Sequence, residues 1–251
     1  MCFERDSVPP IPVIRGAAVS HDDLVLEATD GNRFAAFAAT PDEPGTTGVV
    51  ILPDVRGLYG FYEELALRFA ERGHAVVAFD YFGRTAGAEK RTDDWEFMPH
   101  VEQTTHAGLQ ADIAASVAHV RGLGCDSVFT VGFCYGGRNS WLAAASGHGL
   151  AGAIGFYGRP KDGRPSDSPS PIAVAGEIQA PVLALMGGDD AGIPVEDAEA
   201  LDAALDEAGV EHEVVIYPGA PHSFFDRKQQ EFAEASEDAW KRTLDFIARN
   251  A

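Results

Sequence analysis

Three short segments hold residues whose types and order could carry out acyl transfer. In Gly132-Phe133-Cys134-Tyr135-Gly136-Gly137 a thiol stands between small residues. An apolar, β-branched run (Ser127-Val128-Phe129-Thr130-Val131) precedes it, and a helix-forming run from Arg138 to Ala145 follows. That is a strand–turn–helix context, and G-x-C-x-G differs from the nucleophile-elbow pattern G-x-S-x-G in one atom. Such a turn is so tight that a Cβ at Gly132 or Gly136 would collide with the neighbouring strand or helix. It lifts the central side chain above the sheet edge and aims the first helical N–H groups at whatever that side chain attacks. The same helix N-terminus favours a thiolate or a developing oxyanion. A small buried cysteine on a Gly-rich turn is the competing reading. A phosphate cradle is another, but neither Gly-x-Gly-x-x-Gly nor Walker spacing is present and no lysine is near.

A thiol nucleophile needs a base, and the base needs an acid to orient it. A strand at Val182–Met186 runs into Gly187-Gly188-Asp189-Asp190, with Pro194 beyond. Another at Glu211–Tyr217 runs into Pro218-Gly219-Ala220-Pro221-His222. Nucleophile, then acid, then histidine, each after a strand, is the chain order of the α/β-hydrolase plan. Of the eight histidines, only His222 follows a late strand on a Gly/Pro-rich loop able to swing back over the sheet. Alone it reads equally as a surface-loop histidine, and Asp189 or Asp190 as an N-cap for a helix starting near Pro194. Together, in order and after the right strands, the three argue against coincidence.

The elements that must position them alternate. Asp23–Ala28 and Arg33–Ala38 flank Asp30-Gly31, a hairpin signal. Val49–Leu52 and Ala75–Phe79 read as buried strands. Between them Phe61–Glu71 carries Phe61, Leu65 and Phe69 at helical spacing, closed by Gly73. Residues 81–103 have no clean period and read as a loop or short-helix insertion. Thr104–Arg121 is an amphipathic helix, Ala151–Tyr157 a strand, Val195–Ala208 a helix and Phe232–Ala248 the closing helix. Gly158–Pro171, rich in Pro, Ser, Gly and Asp, reads as a mobile surface loop. Alternation of this kind predicts an α/β fold with a mostly parallel sheet covered on both faces. No internal repeat or domain-scale linker interrupts it, so one domain is expected over residues 1–251, with 1–20 as an N-terminal extension.

Composition narrows the partners. At 251 residues and 45% hydrophobic, the chain suffices for one sizeable core. A formal charge of −20 argues against nucleic acid and anionic membrane surfaces, which want a basic face. An anionic substrate would be repelled globally and would need local arginines. Three cysteines, Cys2, Cys125 and Cys134, make no disulfide framework, and no C-x-x-C or histidine cluster suggests a metal. Residues 1–12 do not read as a secretory leader and no apolar run is long enough to span a bilayer. A reducing cytoplasm is the expected compartment, and a monomer or weak homodimer the expected state.

Gly-Phe-Cys134-Tyr-Gly-Gly, Met186-Gly-Gly-Asp-Asp190-Ala-Gly-Ile-Pro194 and Pro221-His222-Ser-Phe-Phe-Asp226 together resemble the dienelactone hydrolase (carboxymethylenebutenolidase) family, from about Leu26 to the C-terminus. The resemblance implies an α/β-hydrolase fold without a large cap, a Cys-His-Asp triad and no cofactor. The implied activity is opening of a dienelactone to maleylacetate. It selects Asp190 as the acid, four residues before the proline. It implies that Asp54, in Leu52-Pro53-Asp54-Val55-Arg56-Gly57, stands where the family has a glutamate that takes the thiol proton. The backbone N–H groups of Val55 and Tyr135 would form the oxyanion hole. Arg84, in Asp80-Tyr81-Phe82-Gly83-Arg84, resembles a family arginine that holds the substrate carboxylate. The family's second such arginine falls on Asp226 here. Arg227 is one residue further on, and Arg56 beside the oxyanion loop could compensate.

The expected protein is therefore a hydrolase of a small anionic lactone, working through a thioester on Cys134. A general carboxylesterase or thioesterase of the same fold is the second reading. A non-catalytic ligand binder on that scaffold is a reading of a different class.

Overall fold

The computed structural model describes residues 2–17, 19–43, 45–92 and 94–251. Eight strands form one sheet: β1 (Val19–Glu27), β2 (Arg33–Pro41), β3 (Thr47–Leu52), β4 (Ala75–Phe79), β5 (Ser127–Phe133), β6 (Gly152–Phe156), β7 (Val182–Gly187) and β8 (His212–Tyr217). Their order across the sheet is β1-β2-β4-β3-β5-β6-β7-β8. The β1–β2 and β2–β4 pairs are antiparallel and every other pair is parallel. The parallel strands thus all deliver their carboxyl ends to one edge, where open α/β sheets place their sites.

Strand β3 shows why the sheet must be covered on both sides. All six of its residues are buried, and the period-2 alternation sends Val49 and Ile51 to one face and Val50 and Leu52 to the other. The first face packs on α1 (Gly60–Ala70) through Phe61, Leu65 and Phe69 and on a C-terminal helix, Ala233–Asn250, through Trp240, Phe246 and Ile247. The second packs on a long helix, His106–Gly122, through Leu109, Ile113 and Val117, and on Val195–Ala208 through Leu201 and Leu205.

Between β4 and the long helix, residues 81–103 hold two single-turn helices, α2 (Gly83–Ala86) and α3 (Met98–Val101). The long helix is then α4. Helix α5 (Tyr135–Ala144) starts directly after Cys134, three residues earlier than the run from Arg138 suggests. Val195–Ala208 is α6 and Ala233–Asn250 is α7.

The N-terminal residues are fastened to the body of the fold. Phe3 and Ile11 lie in the core beside α1 and α7. Phe3 stacks on Phe61 with ring centroids 4.0 Å apart, a burial that contributes about 1.5–3 kcal/mol. Ser7 Oγ donates to Asp226 Oδ2 at 2.6 Å, and Arg227 donates from its backbone N–H to Val8 O and from Nη2 to Ile11 O. The two residues that depart from the family's arginine spacing, Asp226 and Arg227, thereby bind this segment to the body.

Candidate active site

The turn after β5 has the geometry of a nucleophile elbow. Cys134 takes φ 55° and ψ −110°, a left-handed backbone that costs a non-glycine residue about 1–3 kcal/mol. Three hydrogen bonds hold it there: Cys134 N–H to Phe156 O at 3.0 Å, Gly136 N–H to Pro53 O at 3.1 Å and Arg138 N–H to Cys134 O at 3.2 Å. A Cβ on Gly132 would lie 2.0 Å from Gly136 O, and one on Gly136 would lie 2.0 Å from Leu52 O. Both glycines are therefore dictated by backbone approach, as the motif suggests.

Asp190, not Asp189, meets the histidine. Asp190 is buried and its Oδ2 lies 2.6 Å from His222 Nδ1, while Oδ1 accepts from Gly192 N–H at 2.8 Å. Asp189 is exposed. Neither caps α6, whose N-cap is Pro194 with no side-chain bond. Burial alone would raise the Asp190 carboxyl, but the His222 hydrogen bond and charge outweigh it and hold the group low. His222 faces Cys134 across the same cleft, and Tyr157 packs against the ring at 4.9 Å. Burial would lower the imidazole; its bond to Asp190 and the neighbouring Cys134 overcome this and push it up to about 9.

Cys134 has a further partner that the sequence gives no reason to expect. Cys2 lines the same cleft beside Cys134. Its neighbouring thiol is the largest influence bringing the Cys134 thiol down to about 5. Burial opposes it, His222 reinforces it, and the Asp54 charge opposes. Cys2 moves the other way, raised by Cys134, by burial and by Asp54. The directions make Cys134 the more readily ionised of the two thiols, beside a His222 ring held towards its protonated form.

Asp54 has a setting different from the one the resemblance implies. It is buried, and both carboxylate oxygens are fully engaged. Oδ1 accepts from the Arg56 backbone N–H at 2.9 Å and from Nε at 3.1 Å; Oδ2 accepts from Arg56 Nη2 and Tyr59 OH, both at 2.8 Å. No acceptor position is left for the thiol proton, and the charge disfavours the Cys134 thiolate. What Asp54 does is fix the turn Asp54-Val55-Arg56-Gly57, closed by Gly57 N–H to Asp54 O at 3.0 Å. Val55 and Tyr135 both line the cleft beside Cys134. Among the described residues, neither backbone N–H has an intramolecular acceptor.

The arginines are redistributed. Arg84 is not at the thiol: it pairs with Asp30 at 2.5 Å and Asp112 at 2.8 Å and donates to Gly108 O. Arg56 is held by Asp54 and stacks on Tyr59 at 4.4 Å, beside a separate small cleft. The cleft over Cys134, about 1050 Å³, is lined instead by Arg138, Arg159 and Arg164. Arg138 is buried and structural. It donates to the carbonyls of Arg159, Lys161 and Pro169 and to Ser168 Oγ, and burial lowers it to about 10. It ties down the 158–171 segment, which is therefore a wall of the cleft rather than a free loop. Arg159 and Arg164 are exposed, with one bond to Gly192 O and a 4.0 Å pair to Glu102 respectively. Their guanidinium groups keep donors free for a ligand. Of the missed residues, only Arg138 had a signal, as the one charged residue of helix α5.

Asp202, Asp206 and His212 cluster at the opposite edge of the sheet, at the start of β8. His212 Nε2 lies 3.2 Å from Asp202 Oδ1, a hydrogen bond between α6 and β8.

Comparison with known proteins shows the family and the fold. The family model of the dienelactone hydrolase family matches residues 34–251. A carboxymethylenebutenolidase of Rhodococcus opacus is 30% identical over 256 residues, covering 99% of this chain and 97% of its own. A Klebsiella pneumoniae structure provisionally named a dienelactone hydrolase superposes with a TM-score of 0.79 at 28% identity, covering 92% of this chain and 99% of that one. An acylaminoacyl peptidase of Pyrococcus horikoshii shares the fold, with a TM-score of 0.75 at 17% identity over 93% of this chain and 42% of its own.

Proposed function

The chain belongs to the dienelactone hydrolase family, and we propose that within it this hydrolase opens a small carboxylate-bearing lactone, of the dienelactone-to-maleylacetate type, through a thioester on Cys134. The carrying observation is His222, hydrogen-bonded to Asp190, in one cleft with a Cys134 held on a strained elbow.

The resting pair is a Cys134 thiolate facing a His222 imidazolium. The thiolate attacks the acyl carbon, and the oxyanion accepts hydrogen bonds from the Val55 and Tyr135 N–H groups. Each such donor contributes roughly a hundred-fold or more to rate. As the ring C–O bond breaks, His222 gives its proton to the leaving oxygen. Neutral His222 then takes a proton from water, which attacks the thioester and returns the thiolate. Asp190 orients the ring throughout. Asp54 is a positioning residue, acting through the loop that presents the Val55 N–H. The substrate carboxylate is held by Arg159 and Arg164, in place of Arg84 and Arg56.

The test is hydrolysis of cis- and trans-dienelactone beside p-nitrophenyl acetate by wild type, Cys134→Ala and the Arg159→Ala/Arg164→Ala pair. Turnover of dienelactone that needs both the thiol and the arginines supports the reading. Unchanged turnover in Cys134→Ala removes the nucleophile. A cleft of about 1050 Å³ sits at the top of the range that encloses drug-sized ligands, about 300–1,000 Å³. That size favours, as a second reading, a larger ester or thioester; activity on neutral esters alone would select it.

A further inference from the structure

The mechanism above has no chemical use for Cys2, yet the fold delivers it to the nucleophile. The segment that carries it is fastened along its length. Phe3 stacks on Phe61 and also lies 6.4 Å from Phe133, the residue before Cys134. Lys228 pairs with Glu4 and Asp6, Ser7 binds Asp226, and Arg227 binds Val8 and Ile11. The result is two thiols facing one another in one cleft, on residues adjacent to the packed pair Phe3 and Phe133. The third cysteine, Cys125, is buried under α4 next to Gly48, at the other end of the sheet.

We propose that Cys2 is the resolving thiol of Cys134, and that hydroperoxides convert the pair to a reversible disulfide that switches the hydrolase off and protects its nucleophile.

The chemistry balances with a hydroperoxide as the only co-reactant. The Cys134 thiolate attacks the distal peroxide oxygen, the O–O bond breaks, and Cys134 sulfenic acid and an alcohol (water from hydrogen peroxide) result after one protonation. The Cys2 sulfur then attacks the sulfenic sulfur; an S–S bond forms, the S–O bond breaks and water leaves with the Cys2 proton. In sum, two thiols and one hydroperoxide give one disulfide, one alcohol and one water. The roles follow from the contact. Cys134 is the ionised partner and reacts first. Cys2 is held neutral largely by that neighbouring thiolate. Oxidation of Cys134 removes the thiolate, so Cys2 ionises more readily just when it must attack. Without a neighbouring thiol, the sulfenic acid would advance to sulfinic acid, which dithiols do not reverse.

The effect on turnover rests on the Cys134 reading above, whereas formation of the disulfide does not. Reduced wild type, Cys2→Ser and Cys2→Ala are each treated with a small excess of hydrogen peroxide. They are then mapped as non-reduced peptides and assayed on p-nitrophenyl acetate before and after dithiothreitol, each against its own untreated rate. Wild type is expected to yield a Cys2–Cys134 cross-linked peptide, to lose nearly all turnover and to regain it on reduction. Both variants are expected to lose turnover without regaining it, with Cys134 recovered as sulfinic acid. Absence of the cross-linked peptide in wild type, with Cys134 over-oxidised as fast as in the variants, overturns the proposal. A cross-linked wild type that still turns over at full rate upholds the disulfide and instead removes Cys134 as the nucleophile.

Discussion

Replacing Asp54 separates a positioning acid from a proton acceptor. Its carboxylate accepts four hydrogen bonds, three of them from Arg56, and the pair is secluded, with Asp54 1% and Arg56 17% exposed at the side chain. Removing one partner of a buried pair costs about 3–5 kcal/mol because the other is left desolvated. Arg56 retains some solvent, so Asp54→Ala is expected near the lower end, about 3 kcal/mol. With a urea m-value of about 3 kcal/mol/M for a chain of this length, the unfolding midpoint falls by about 1 M. Turnover falls as the Val55 N–H loses its fixed place, by up to ~100-fold. The rate of Cys134 alkylation by iodoacetamide near pH 5 moves the other way. The Asp54 charge raises the thiol, so its removal increases the thiolate fraction and alkylation is unchanged or faster. Slower alkylation in Asp54→Ala that is folded under the assay conditions would refute this reasoning and return Asp54 to the role of a base.

Asp190→Asn should cost about 10³–10⁴-fold in kcat by losing the ring orientation, with the fold retained by circular dichroism; a loss under ten-fold would contradict the triad. The thiolate–imidazolium pair sets a pH window. His222 is raised from 6.5 to about 9, so its contribution to stability is complete below 6.5 and lost as pH rises through about 9. Cys134 is lowered from 9.0 to about 5, so its contribution is complete above 9.0 and lost as pH falls through about 5. The thiolate ultraviolet absorbance should therefore disappear with a midpoint near pH 5 and be absent in Cys134→Ser; a midpoint near the ordinary thiol value would contradict the pair. Arg159→Ala with Arg164→Ala should raise KM for an anionic lactone by at least roughly 10–150-fold, the loss of one charge-assisted bond at about 1.5–3 kcal/mol. KM for p-nitrophenyl acetate should stay put, and equal effects on both substrates would exclude an anchoring role.

The parts legible in the sequence are those fixed by local pattern. Strand β4 and helix α6 fall on the expected residues because each is a short apolar or periodic run with clear ends. The elbow is legible because Gly132 and Gly136 are forced by backbone contacts, which leaves their spacing in the sequence. Asp190 needed the family spacing, since Asp189 is chemically identical; the structure separates them by burial. The N-terminal segment was illegible because its anchors, Asp226 and Arg227, lie more than 200 positions away. Cys2 consequently looked like an unremarkable terminal thiol. Arg84 was misplaced because a motif position does not reveal its partners: Asp30 and Asp112, from a hairpin and from α4, hold it away from Cys134. Asp54 differs for a local reason, since an aspartate one methylene shorter than glutamate folds back onto its own loop and Arg56.

The central claim is that Cys134 becomes acylated. Wild type is mixed with p-nitrophenyl acetate, quenched in acid within the first turnovers and mapped by peptide mass spectrometry. The account predicts an acetyl group on the Cys134 peptide, none on Cys2 or Cys125, and no adduct in Cys134→Ala. A burst of p-nitrophenol equal to the enzyme present, with Cys134 unmodified, would contradict it.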